Sequence, residues 1–192
     1  MKSFWTIPNV LSAYRIVIFP YILYCIYADK ESTFSLLISI NLITDVLDGF
    51  IARRFNMSTE LGARLDSAAD LGTYLLAFLA IFHFKTEIIG SHIWLLYLFL
   101  TLFVLCYTLP LWRFGRLPSF HLYSWKLGGY LQGFLIFSLF NWGFWEPFYY
   151  LALGWGIVAF IEHLTIQSLV KNPRSNLKSL IWVLGNRNAA EL

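Results

Sequence analysis

Six apolar runs separated by short polar turns make up most of the chain: Pro8 to Tyr27, Thr33 to Ile51, Asp70 to Phe84, His92 to Trp112, Tyr123 to Phe140 and Pro147 to Val170. Each is near the ~20 residues that a helix needs to cross the hydrocarbon of a bilayer. The pattern therefore predicts an all-α integral membrane protein, a six-transmembrane-helix bundle. Ile7-Pro8-Asn9 opens the first run, where proline suits an opening turn, and Lys2 and Trp5 before it suit a short interfacial segment. The first run lacks a small-residue cleavage site, so Met1 to Tyr27 reads as a retained helix. Asp29-Lys30-Glu31-Ser32 and Lys85 to Gly90 read as outer turns, and Asn141 to Pro147, with Trp142, Phe144 and Trp145, as an outer aromatic belt. Linkers are short, no repeat is visible, and residues 1–192 read as a single domain. The polar tail from Asn172 carries one apolar patch, Leu180 to Leu184, suited to packing on the cytoplasmic face.

Composition sharpens the class. Of the 192 residues 58% are apolar, outside the usual globular range. Basic residues are sorted: Lys2, Arg53, Arg54, Arg64, Arg113, Arg116, Lys126, Lys171, Arg174, Lys178 and Arg187 fall on one side of the predicted topology, and Lys30 and Lys85 on the other. The positive-inside rule puts both termini and the turn after the second run in the cytoplasm, consistent with an even number of spans. The net charge of +3 largely expresses this sorting and favours anionic lipid headgroups or phosphorylated substrates. No basic, aromatic-interleaved soluble module is present, which excludes nucleic acid as the partner. Cys25 and Cys106 lie in apolar runs without metal or disulfide spacing and read as small buried hydrophobes.

The chemistry is concentrated where the second run meets the third. Asp45, Asp48, Gly49, Ala52, Arg53, Gly62, Asp66 and Asp70 form the array D-x2-D-G-x2-A-R-x8-G-x3-D-x3-D. On helices, Asp45 and Asp48 share one face and Asp66 and Asp70 another, so two helices offer two pairs of carboxylates. At ~1.5 Å per residue, Asp48 lies ~9 Å from Arg54 and Asp70 ~9 Å from Arg64, just inside the cytoplasmic boundary. Four unpaired mid-membrane charges would cost ~10 to 14 kcal/mol, comparable with the stability of a whole domain. Compensation comes from Arg53 and Arg54, or from one or two hard divalent cations, because Mg2+ and Mn2+ favour carboxylate oxygen. Gly49 and Ala52 leave room for a flat base or a pyrophosphate, and Arg53 offers a forked donor to phosphate oxygens. The competing structural reading is a buried Asp/Arg salt-bridge cluster. A rival of another class is a cation-binding membrane transporter, which predicts polar residues at mid-membrane on several helices.

Asp45 to Asp70 resembles the signature of the CDP-alcohol phosphatidyltransferase family at all eight fixed positions. Ile7-Pro8-Asn9-Val10-Leu11-Ser12 followed by Arg15 is similar to the amino-terminal segment of bacterial members that make phosphatidylglycerophosphate, and phosphatidylinositol phosphate synthases are also similar. The resemblance implies a homodimer of six-helix protomers in the bacterial inner membrane, a cytoplasmic cavity holding two Mg2+ or Mn2+ ions, and displacement of CMP from CDP-diacylglycerol by a small polar alcohol. It implies Asp45, Asp48, Asp66 and Asp70 as metal ligands and Asp70 also as general base on the acceptor hydroxyl. Asp48, Gly49, Ala52, Arg53 and Gly62 would hold the CDP part. Direct attack from a ternary complex is preferred over a covalent aspartyl intermediate.

Arg113, Arg116, His121 and Lys126 cluster between the fourth and fifth runs, and Arg174 and Lys178 follow the last. Several donors on the catalytic side suit an anionic acceptor, against the alternative of positive-inside sorting and snorkelling. Arg113, Arg116, Lys126 and Arg174 are the acceptor candidates, Lys126 with support from the resemblance through a Ser-x-x-Lys or Ser-x-Lys element whose spacing differs among subfamilies. Glycerol 3-phosphate is favoured, with inositol phosphate close behind and free inositol or serine as alternatives. Arg15, two turns into the first run, pairs with an aspartate or a substrate phosphate, or snorkels. Glu162 in the last run is read as polar glue between protomers.

Overall fold

A threonine starts each of the two helices that border the carboxylate array. Thr6 precedes α1 (Ile7–Tyr27), and its hydroxyl accepts from the amide of Asn9 at 3.4 Å while Pro8 sits in the first turn, where its missing N–H leaves no bond unmade. Thr59 precedes α3 (Glu60–Ala80), its Oγ1 accepting from the Gly62 amide at 3.0 Å. Between them α2 (Glu31–Arg54) ends on Arg53 and Arg54, cations that suit the negative end of its dipole. The computed structural model describes residues 6–55, 57, 59–115, 122–169 and 179–185, and among them the chain is helical with no strand.

The remaining elements are a π-turn at Ile81–Lys85, α4 (Thr86–Ile89), a 3-10 turn at Gly90–His92, α5 (Ile93–Phe114), α6 (Tyr123–Asn141), α7 (Glu146–Leu169) and α8 (Leu180–Gly185). Two boundaries differ from the hydropathy pattern. The third helix starts ten residues before its apolar run, because the Thr59 cap and not hydrophobicity sets its start, and Arg64, Asp66 and Ser67 on its first turns mask it. The expected turn at Lys85 to Gly90 is helical as far as Ile89. There the Lys85 ammonium meets Glu31 at 2.6 Å, Thr86 Oγ1 donates to the Phe82 carbonyl, and Ile89 is fully buried. The reversal of backbone sign comes at Gly90, with φ +51°, which a residue lacking Cβ adopts without strain.

Four helical stretches are long and apolar enough to cross a membrane: Ile7–Tyr27, Glu31–Arg54, Leu61–Arg113 and Glu146–Leu169. The third, 53 residues long, takes in both α3 and α5. α6 carries Lys126, Gly128, Gly129 and Gln132 and does not qualify by composition. Large apolar side chains such as Val17 and Trp112 stand exposed, as lipid contact requires and water does not favour. Cys25 and Cys106 are free and buried, as their sequence setting indicates.

Contacts divide the chain into two compact units, Met1–Ile88 with Phe140–Trp142, and Ile89–Leu139 with Gly143–Leu192. In the first unit α1 packs along both α2 and α3. Ile22, Ile26, Phe34, Ile38 and Leu76 fill its apolar part, with the Phe140 ring edge-on to Phe34 at 4.9 Å. Ser35 and Ser39 bond to Asn141, polar side chains satisfying one another where water is excluded.

In the second unit α5 packs on α7. Phe99 and Phe160 meet at 4.9 Å, and a Cβ on Gly156 would lie 2.4 Å from the Phe99 ring and 2.5 Å from Gln132 Nε2. A small residue is thus what lets these helices approach. The apolar patch of the tail forms α8, and Leu180 and Val183 pack on Leu122, Trp125 and Ile166. Glu162 acts inside the protomer: its carboxylate accepts from the Ser124 hydroxyl and from the Leu180 amide at 2.8 Å, tying α6, α7 and α8 together.

Gly156→Ala is expected to lower the thermal midpoint in detergent, by an amount corresponding to ~1 to 3 kcal/mol of overpacking. Gly154→Ala, two residues away with nothing within 4 Å of the new methyl, is expected to leave it unchanged. Equal midpoints for the two variants would contradict this packing.

Candidate active site

The α1–α2–α3 unit brings all four aspartates of the array onto one cation. Arg15 lies on α1, its side chain 1% exposed, with the carboxylates of α2 on one side and those of α3 on the other. Its Nη1 donates to Asp45 Oδ1 at 2.6 Å and Asp70 Oδ1 at 2.8 Å, and its Nη2 to Asp48 Oδ2 at 2.6 Å and Asp66 Oδ1 at 2.7 Å. Each terminal N–H thus serves one aspartate. The planar fork fixes these directions in a way that a lysine ammonium does not. Nε has no partner among the described residues.

The helical spacing read from the sequence places the carboxylates as expected, one pair on α2 and one on α3. The neutralising arginine is different. Arg15 does what the sequence suggested for Arg53 and Arg54, and the choice left open for Arg15 falls to pairing with aspartates. Arg53 instead folds back one turn over Gly49, its Nη1 3.5 Å from the place of a Cβ there.

One guanidinium facing four carboxylates leaves the cluster in need of further positive charge if all are ionised, and the donors are hard oxygens suited to Mg2+ or Mn2+. One oxygen each from Asp45, Asp48 and Asp66 lies within 4.8 Å of the others. An octahedral shell with ~2.1 Å bonds spans ~4.2 Å across, so a small inward movement of the carboxylates suffices to close it. Asp70 is outside this trio. Asp48 has a side-chain exposure of only 4%, against 41 to 43% for Asp45, Asp66 and Asp70. Ser12 Oγ stands 3.2 Å from both Asp48 Oδ2 and the Pro8 carbonyl, so its single proton holds one of them at a time. Asp48 is therefore the fixed member of the set, and the other three have room to turn.

Beside the cluster lies a cavity of about 200 Å³. Asp48, Gly49, Ala52, Arg53 and Gly62, the five positions expected to hold CDP, all line it, with Asp66 at its edge of the carboxylate cluster. α1 contributes Pro8, Asn9 and Ser12 to the same wall, and Thr59 precedes α3. The sequence marks Pro8, Asn9 and Ser12 only as part of a resembling amino-terminal segment and Thr59 only as a gap position of the array, and their place in this wall appears only in space. Asn9 Nδ2 donates to Thr59 Oγ1, fifty positions away, at 3.3 Å.

Gly62 has a structural reason to be glycine besides any ligand. A Cβ there would fall 2.3 Å from Asn9 Oδ1 and 2.9 Å from Thr59 Oγ1. The glycine lets the start of α3 close against the start of α1.

Among the acceptor candidates, Arg113 Nη1 donates to the Gln167 carbonyl near the end of α7 at 2.7 Å, a bond that satisfies a C-terminal helix carbonyl. Lys126 is exposed, with Nζ 5.9 Å from the centre of the Tyr123 ring. Both belong to the second unit. Arg116, His121, Arg174 and Lys178 lie outside the described residues.

A model described as CDP-alcohol phosphatidyltransferase matches residues 5–162. A CDP-diacylglycerol--glycerol-3-phosphate 3-phosphatidyltransferase of Salmonella choleraesuis is 39% identical over 69 residues, 34% of this chain and 38% of the relative. Proteins of the same description from Aquifex aeolicus and Escherichia coli are 39% identical over 64 residues and 38% identical over 69, covering 36% and 38% of their lengths. The matches thus span little more than a third of these curated relatives. No solved structure matches the chain.

Gly62→Ala is expected to destabilise the protein by ~1 to 3 kcal/mol, as overpacking does, and Asn9→Ala in the same chain is expected to restore part of the loss. A double-mutant cycle on thermal midpoints measures the coupling. Strict additivity would remove Asn9 as the obstacle.

Proposed function

This chain belongs to the CDP-alcohol phosphatidyltransferase family, and on that premise we propose that it transfers the phosphatidyl group of CDP-diacylglycerol to the hydroxyl of a small phosphorylated alcohol, glycerol 3-phosphate, releasing CMP. The observation that carries the reading is the convergence of the five CDP candidates on one cavity beside the aspartate cluster. Asp45, Asp48, Asp66 and Asp70 would hold two divalent cations, Mg2+ or Mn2+. When bound, these supply positive charge against the pyrophosphate and the departing CMP.

The chain's own residues do the rest. Gly49 and Ala52 present no bulk to the nucleotide, and Arg53, one turn on, donates to phosphate oxygens from the rim. Buried Asp48, within hydrogen-bond reach of Ser12, fixes the depth of the site. Asp70 takes the proton of the acceptor hydroxyl as its oxygen bonds to the lipid-side phosphorus, and the bond from that phosphorus to the CMP oxygen breaks with its electron pair leaving on CMP. Asp70 suits the role because its carboxylate is partly exposed and lies outside the trio that includes Asp45, Asp48 and Asp66. Positioning and late proton transfer offset the weakness of a carboxylate as a base.

Glycerol 3-phosphate is supported by the activity for which the relatives are named, and their matches cover about a third of this chain. Lys126 and Arg113, with Arg116 and Arg174, are the candidate donors for its phosphate. The protein would act as a homodimer in the bacterial inner membrane, with six spans in a single domain and both termini and the site on the cytoplasmic side.

CMP release from CDP-diacylglycerol by the purified protein with Mg2+ or Mn2+ is expected with glycerol 3-phosphate and not with inositol or serine. Chelation is expected to abolish it, and Asp70→Asn to reduce it by ~10² to 10⁴, the range of general-base effects. Release supported only by another alcohol would overturn the acceptor, and undiminished turnover in Asp70→Asn would overturn the base.

A further inference from the structure

The four hydrogen bonds of Arg15 raise a question of charge. Its guanidinium occupies one oxygen on each of the carboxylates that would hold the proposed cations: Asp45 Oδ1, Asp48 Oδ2 and Asp66 Oδ1, as well as Asp70 Oδ1. A divalent ion ~2.1 Å from an oxygen of these carboxylates and a guanidinium 2.6 to 2.8 Å from an oxygen of the same groups would be near neighbours with like charge, repelling with twice the strength of two unit charges. Arg15 also has its fifth donor, Nε, without a partner among the described residues. All of its hydrogen bonding is thus committed to the cluster, with no other anchor to hold the head where it is once the carboxylates turn to another cation.

We propose that Arg15 is the internal counter-cation of the aspartate cluster, competing with divalent cations for it and leaving the carboxylates when the site is loaded. The inference rests on the metal centre put forward above and adds a role for a residue of α1 that the transfer step does not assign. Two functions follow. The cluster stays neutralised enough to remain packed at low metal concentration, and the apparent metal affinity is reduced by the fraction of molecules in which Arg15 holds the carboxylates. Three carboxylates with side-chain exposure of 41 to 43% have the freedom to exchange partners, whereas Asp48, 4% exposed, changes its partner in place.

Mn2+ binding to the purified protein in detergent, followed by electron paramagnetic resonance of the free ion, tests this without turnover. Arg15→Gly is expected to bind Mn2+ at least tenfold more tightly than the wild type, and Arg15→Lys, which keeps the charge but not the fork, to fall between. The decisive arm adds guanidinium chloride at low millimolar concentration against a sodium chloride control of equal ionic strength. In Arg15→Gly the free guanidinium is expected to weaken Mn2+ binding competitively, with no such effect on the wild type. Unchanged or weaker Mn2+ binding in both variants, or indifference of Arg15→Gly to guanidinium, would overturn the competition while leaving the metal centre intact. No Mn2+ binding by any of the three proteins, each shown to be folded by its thermal transition, would overturn the metal centre and the inference with it.

Discussion

The contact between one guanidinium and four carboxylates governs the first unit of this protein. Charges inside a bilayer are costly and call for pairing or a polar cavity, and Arg15 is the group through which α1 meets Asp45 and Asp48 of α2 and Asp66 and Asp70 of α3. Any rotation of α1 would take the fork off its acceptors, and any slide of α3 by one residue would turn its aspartates to another face. The close seat of Asn9 against Gly62 at the amino-terminal ends of α1 and α3 fixes the same register by shape. Electrostatics at depth and packing at the rim therefore reinforce one geometry, and the cavity beside them inherits its dimensions from both.

Much of this geometry was legible in the sequence because intramembrane aspartates are costly and their spacing is a helical one. The pairs Asp45 with Asp48 and Asp66 with Asp70 follow from the spacing alone, and the match over residues 5–162 agrees with the resemblance those residues carry. Arg15 was less legible, since an arginine two turns into a helix has snorkelling as an equal reading and its partners are 30 to 55 positions away. The contact of Asn9 with Thr59, fifty positions apart, is hidden for the same reason. Gly62 shows only one of its causes in the sequence, its place in a ligand pattern, and the structure adds a neighbouring side chain that a methyl group would strike.

Boundaries were harder to read than elements. Hydropathy locates the apolar part of α3 and misses its first turns, where the helix is polar because it leads into the site. Lys85 to Gly90 looks like a turn by composition, yet Lys85 is paired with Glu31 and nearly buried, so its charge does not mark a solvent-exposed break. Glu162 reads from the sequence as polar glue between protomers, whereas its partners are Ser124 and Leu180 of its own chain. A carboxylate at the first amide of a short helix binds the tail to α7 in a way that no periodicity reveals.

The order in which the partners of Arg15 leave the ribosome has a consequence for biogenesis. Asp45 follows Arg15 by 30 positions and Asp70 by 55, so a chain made from its amino terminus presents the arginine to the membrane before any of its acceptors. Lone insertion of α1 carries a cost of ~2.5 to 3.5 kcal/mol for an arginine at the helix centre. Entry of α1 together with α2 as a hairpin meets that cost with Asp45 and Asp48, and α3 then brings the other two aspartates to an arginine already in place. The same four contacts that hold the finished site thus prescribe an assembly sequence, in which the first helix waits on the second for its passage into lipid.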